Sequence, residues 1–295
     1  MPAPKKAFKP LPQQLAEVAA DMSRQNSEAL QTSSVLSPEQ IHHLRTSVKR
    51  LRARWHLFRS GIGKMAAREA DRNLRDANRE FSGARDAQVQ LALLDELARN
   101  GTGKGRPNQA VLRLRGALAA AMPELTQRLE LSGSKREELI QRFRDDAKRW
   151  SQATEVAPGT LVDGMTRVFK RSQNLAHKAY QKDTPEAFHE WRRWCKYLYY
   201  QLEALTEVQP RWQKERVSLW KELGSRLGHR HDLSILFDLL ERKDPPWKSR
   251  DLEITRKRAQ GRDERLGKRI RVLYGTLYGE SPKKFRLRVA MRMLS

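Results

Sequence analysis

Apolar residues recur every three or four positions in IHHLRTSVKRLRARWHLF, placing Ile41, Leu44, Val48, Leu51, Trp55 and Phe58 on one face of a helix. The same period runs through most of the chain, and no convincing period-two alternation marks a strand. It predicts helices near 12–32, 38–60, 64–81, 85–99, 108–131, 134–153, 160–181, 184–206, 211–227, 230–242 and 248–277. Ser37-Pro38 and Thr184-Pro185 each offer an N-cap followed by proline at the first helical position. Pro2, Pro4, Pro10 and Pro12 predict a short extended lead-in. GTGKGRP, residues 101–107, reads as a connector, because it lacks both the spacing and the preceding strand of a phosphate-binding loop. The expected fold class is all-α.

The stripe recurs. Moving 147 residues along gives Phe188, Trp191, Cys195, Leu198, Leu202 and Leu205 in the same register. Offset by one residue from the first stripe stand His42, Arg45, Lys49, Arg52, His56 and Arg59; the matching positions are His189, Arg192, Lys196, Tyr199, Glu203 and Thr206. At helical pitch the first four positions of each set fall within roughly 80° of arc, beside the buried stripe and not opposite it. These cations are therefore expected at the lip of a groove. A second echo follows: Leu74-Arg75 precedes SGARDAQVQLALLDEL, and Trp220-Lys221 precedes LGHRHDLSILFDLL. The repeat divides one 1–295 unit into a first helical half, 12–153, and a second, 158–280.

Charge sharpens this picture. Lys and Arg number 59 against 35 Asp and Glu, a net +24, which sets up a long-range field attractive to anions. Charge alone leaves nucleic acid, an anionic membrane surface and a small polyanion open. Cys195 is the only cysteine, so no internal disulfide forms, and a cytoplasmic setting is the simplest expectation. The opening MPAPKKAFKPLPQQ lacks an apolar run, and no stretch approaches the length of a membrane span. Membrane association is not expected.

His-x-x-Arg-x-x-x-Lys on one helix, then a Lys or Arg eleven residues before an Arg-Asp or His-Asp step, all duplicated, resembles the CHAD family, the conserved histidine α-helical domain. The resemblance runs from about residue 12 to residue 242. It implies two helical bundles related by a pseudo-twofold axis around a basic central cavity, and binding of inorganic polyphosphate, often at polyphosphate granules. Carried over by position, His42, Arg45, Lys49, Arg52 and Arg75 would contact phosphates, with His189, Arg192, Lys196 and Lys221 as counterparts. Arg50, His56, Arg79 and Arg193 flank these positions and join the candidate set. Arg85, Asp86, His231 and Asp232 are expected in support, the two aspartates near helix starts as caps or as partners orienting Arg85 and His231. The pattern departs at Tyr199, where an arginine is expected, at His231 in place of arginine, and at Ser82 in place of glycine. The first half is therefore expected to carry more of the affinity.

Polyphosphate offers closely spaced charges and no bases, so its binder needs repeated donors along a path, which stripes of Arg, Lys and His supply. Crowded cations beside an apolar face repel one another until an anion relieves them. They are also expected to depress the pKa values of His42 and His189 in the empty protein. Arg and Lys neighbours argue against a metal at these histidines, and no carboxylate cluster suggests a catalytic centre or cofactor. Trp55, Trp191 and Cys195 fall on core stripes, where packing is the expected role, and Trp194 flanks one. The expectation is a non-enzymatic polyphosphate binder. A nucleic-acid-binding protein and a polyphosphate- or triphosphate-processing enzyme stand as the alternatives.

Overall fold

Ser37 accepts a hydrogen bond from the Gln40 amide while the Gln40 side chain accepts one from the Ser37 amide, a reciprocal cap that starts a helix at Pro38. The computed structural model describes residues 9–81, 83–99, 106–121, 129–209, 214–241 and 247–293, with backbone alone at 83–88, 129 and 214–215. The lead-in prolines Pro2 and Pro4, residues 101–105 of the connector and Ser82 lie outside the described residues.

The architecture is all-α. Its helices are α1 (Leu11–Thr32), α2 (Pro38–Ile62), α3 (Lys64–Glu80), α4 (Gly83–Ala98), α5 (Gln109–Ala121), α6 (Gly133–Gln152), α7 (Pro158–Lys182), α8 (Pro185–Val208), α9 (Lys214–Leu240), α10 (Ser249–Tyr278) and α11 (Pro282–Met293). Gly63, at φ 91°, turns the chain between α2 and α3 in a conformation that favours glycine. α1 lies along α6, α3 crosses α2 and α6, and α7 packs on α2, α8 and α11. α9 joins α8 to α10, and α4 and α5 lean on α9 and α10, so contacts cross between the sequence halves.

Three features differ from expectation. α9 is continuous where a break near residue 228 was expected, because Gly228 remains helical. The helical pattern that ended near residue 277 is followed by α11, whose Phe285 stacks on Phe169 of α7 at 4.1 Å between ring centres. A two-residue antiparallel pair, β1 (Val35–Leu36) and β2 (Leu129–Glu130), clasps the segments that precede α2 and α6, and β2 stands where the helix expected over 108–131 would have ended. Two residues are too few to leave a period in the sequence.

The apolar stripes lie in the core: Leu44, Val48, Leu51 and Phe58 of α2 and Trp191, Cys195, Leu198 and Leu205 of α8 are all buried. Trp55 stacks on Trp150 of α6 with centroids 3.7 Å apart. Both indoles donate to the buried carboxylate of Asp146, at 2.8 and 3.1 Å, and Ser23 of α1 donates to it at 2.6 Å. One side chain thus ties α1, α2 and α6. Burial pushes the Asp146 carboxyl up to about 6 against the pull of its three donors. On the far side of α2, a Cβ on Gly164 of α7 would collide with the Leu57 carbonyl, so only glycine permits this crossing.

Asp146→Ala orphans three donors and is expected to cost about 3 kcal/mol or more in urea-induced unfolding. A raised carboxyl contributes stability that is complete below its unfolded value and lost as pH rises through about 6. The isosteric Asp146→Asn is expected to lack that pH dependence, and a parallel pH profile for the two proteins would contradict it.

Candidate anion-binding site

Ser37 and Pro38 fix the start of α2 and thereby the direction of its basic edge. His42 is exposed in the second turn. Arg45 is buried and donates to the Phe81 carbonyl at the end of α3, at 2.6 Å. Lys49 is half-buried. Arg52 clamps Asp71 of α3 through two bonds, 2.8 and 3.3 Å, and its guanidinium lies 5.6 Å from the Tyr197 ring centre. His56 reaches the same carboxylate at 3.6 Å. Its pKa falls to about 4, chiefly through burial, with Asp71 opposing and Arg167, Arg52 and Arg59 adding to the fall. Arg75 and Arg79 are exposed and share Asp76, at 3.4 and 3.2 Å.

The counterpart edge of α8 is built on Thr184, whose hydroxyl accepts from the Ala187 amide. Arg192 and Lys196 lie across α9 where Gly228 and Gly224 occupy successive turns. A Cβ at Gly228 would stand 3.5 Å from Arg192 Nε, and one at Gly224 would stand 3.3 Å from Lys196 Cδ. The two glycines therefore form a shallow bed for two cationic stems. The Lys196 ammonium sits 5.9 and 5.8 Å from the Tyr199 and Tyr200 ring centres. Arg193 is exposed and reaches Glu190 at 3.8 Å, and Lys221 is exposed on α9.

The His189 and His231 rings lie 4.3 Å apart between centroids, tilted by 51°, beside a pocket of about 170 Å³ that also takes in Phe188, Arg230 and Asp263. Burial lowers both histidine pKa values. Arg192 and Arg193 add to the effect at His189, while His189 and Arg192 bring His231 to about 4. Asp232 belongs to the interior of α9, so the expected helix-start role is corrected for it; its carbonyl accepts from Gln90 of α4 at 3.1 Å. Arg85 and Asp86 fall in the first turn of α4, and their side chains lie outside the described residues.

The two edges meet. Burial raises the Tyr197 phenol to about 12, against the opposing fields of Arg52 and Arg75 from the first half and Arg193 from the second. Arg50 reaches from α2 to Glu203 of α8 at 2.8 Å, and Tyr199 donates to the same carboxylate at 2.6 Å. Where α8 has a tyrosine in place of the expected arginine, α2 supplies the cation. Arg54, fully buried, likewise pairs with Glu207, and Gln201 donates to the Ala53 carbonyl at 3.0 Å.

The sequence did not single out Asp71 or Gly224, and it placed Glu203 on the α8 stripe without a role. The two acids are joined to their arginines across 19 and 153 residues, beyond any helical spacing, whereas Gly224 could have been found four residues before Gly228. Trp55 and Trp191 are buried as expected, and the buried Cys195 thiol is pushed up to about 12, which leaves it unreactive. Among the described residues no group of three or more His, Cys, Asp or Glu could hold a metal ion, and no helix is long and apolar enough to cross a membrane. Arg, Lys and His donors spaced along such edges are chemically suited to charge-assisted hydrogen bonds with anions.

No curated protein and no solved structure matches the chain. Residues 13–241, most of its length, match the CHAD domain, and the chain belongs to that family.

Proposed function

We propose that this protein binds inorganic polyphosphate without hydrolysing it, along the basic edges of α2 and α8, and serves as a cytoplasmic targeting or scaffolding module at polyphosphate granules. The family is associated with triphosphate and polyphosphate. The observation that carries the reading is the meeting of two basic edges, where Arg50 of α2 reaches Glu203 of α8 and the stems of Arg192 and Lys196 lie over Gly228 and Gly224 of α9. We infer in addition that the halves arose by duplication: α7 and α8 start 147 residues after α1 and α2, and α11 lies against α7 as α6 lies against α1. Polyphosphate would then run from one half to the other, with Lys49 on one edge and Arg192 and Lys196 on the other.

Arg45 holds the Phe81 carbonyl, so its removal would confuse binding with stability. Replacing Lys49, Arg192 and Lys196 by alanine is the cleaner test. Loss of three phosphate partners is expected to weaken long-chain polyphosphate about a hundredfold or more in calorimetry, with circular dichroism unchanged. Undiminished affinity would place the ligand elsewhere.

Long-chain polyphosphate is expected to displace labelled DNA and RNA at matched phosphate and salt, and to release no orthophosphate with Mg²⁺ or Mn²⁺. Nucleic acid displacing polyphosphate would favour the nucleic-acid alternative, and phosphate release would favour the enzyme.

His189 and His231 have lowered pKa values in the empty protein. A polyanion beside them raises both, so binding takes up protons and affinity climbs as pH falls from about 7 toward about 5. Calorimetry in buffers of different ionisation enthalpy reads that uptake directly. His189→Gln combined with His231→Gln is expected to abolish it; equal uptake in this variant and the native protein would exclude the pair as its source.

A further inference from the structure

Arg167 of α7 stands at the end of the α2 basic edge, on a helix that no part of the polyphosphate reading uses. The close crossing at Gly164 and Leu57 brings α7 against the last turns of α2, and Arg167 follows Gly164 by three residues. Its guanidinium donates to the His56 carbonyl at 2.6 Å, while its Nε is buried without a hydrogen-bond partner. Arg59, in the last turn of α2, is half-buried and follows His56, whose carbonyl Arg167 holds, by three residues.

Neither arginine has an ion pair among the described residues. That distinguishes them from Arg50, Arg52 and Arg54 on the same helix, each of which meets a carboxylate. Asp163, one turn before Arg167 and well spaced to pair with it, is held instead by Arg286 of α11 at 2.9 Å. Asp71 is held by Arg52. His56, which lies between, is neutral near pH 7. The carbonyl partner of Arg167 and the helix dipole at Arg59 offset only part of two crowded positive charges. Consistent with that, burial and then Arg59 pull the Arg167 pKa down to about 10.

We propose that Arg59 and Arg167 form a second anion site that takes one phosphate group, bridged between the two guanidinium groups and separate from the Arg192 and Lys196 bed on α9. Planar guanidinium groups suit phosphate oxygens, and one dianion would neutralise the pair. The group could be free orthophosphate or the end of a phosphate chain. The site stands whether or not the α8 edge binds polyphosphate.

The experiment titrates the intact chain with orthophosphate and with tripolyphosphate, at ionic strength held constant with chloride, in the native protein and in Arg59→Gln, Arg167→Gln and Lys148→Ala. Arg59→Gln leaves the bond from Arg167 to the His56 carbonyl alone should Arg167→Gln not fold. Each glutamine variant is expected to weaken the ligand about tenfold, while Lys148→Ala, an exposed cation of α6 outside both anion sites, leaves the affinity for either ligand unchanged. A loss confined to orthophosphate identifies the free ion, and a loss confined to tripolyphosphate identifies a chain end. Native affinity for both ligands in the two glutamine variants, or no binding of either ligand to the native protein, would overturn the site.

Discussion

Where α2 crosses α8, Gln201 gives its amide hydrogen to the Ala53 carbonyl and the two apolar stripes turn inward together. That crossing sets the direction of every cation one position off the stripe. A helix that buries one face cannot move its neighbouring residues far from that face, so the basic edges are held at the rim of the core. Exposed lysines and arginines elsewhere can relax into water. Those at the rim keep their places and their mutual repulsion, which is the condition for a standing anion site.

Part of that repulsion is already answered by acids. Arg50, Arg52 and Arg54 all lie on α2, and all are met by carboxylates, two of them from α8. Removing either partner would leave the other charge poorly solvated, so these pairs matter more for geometry than for net stability. They split the basic stripe into two kinds of cation. Arg50, Arg52 and Arg54 act as struts between helices, while Arg192 and Lys196 lie along a bed of backbone made by two glycines.

The sequence displayed the helices, their caps at Ser37 and Thr184, and the 147-residue offset between stripes, because each depends on neighbours within one helix or on a repeated pattern. It did not display what approaches from elsewhere in the chain. Asp71 and Glu203 are unremarkable acids until the fold places them against Arg52 and Arg50. Gly228 was expected to mark a break and instead lies inside α9, since its missing side chain serves a neighbouring arginine and not a turn. The clasp of β1 with β2 was illegible for the opposite reason, being too short to carry any periodicity.

The core position of Cys195 also has a practical side. Its thiol is sealed inside the helical core and protonated far above physiological pH, so alkylating dyes have no thiolate to attack while the protein is folded. A cysteine introduced at a chosen surface residue would then be the single point of attachment for a fluorophore or spin label, with the native residue left in place.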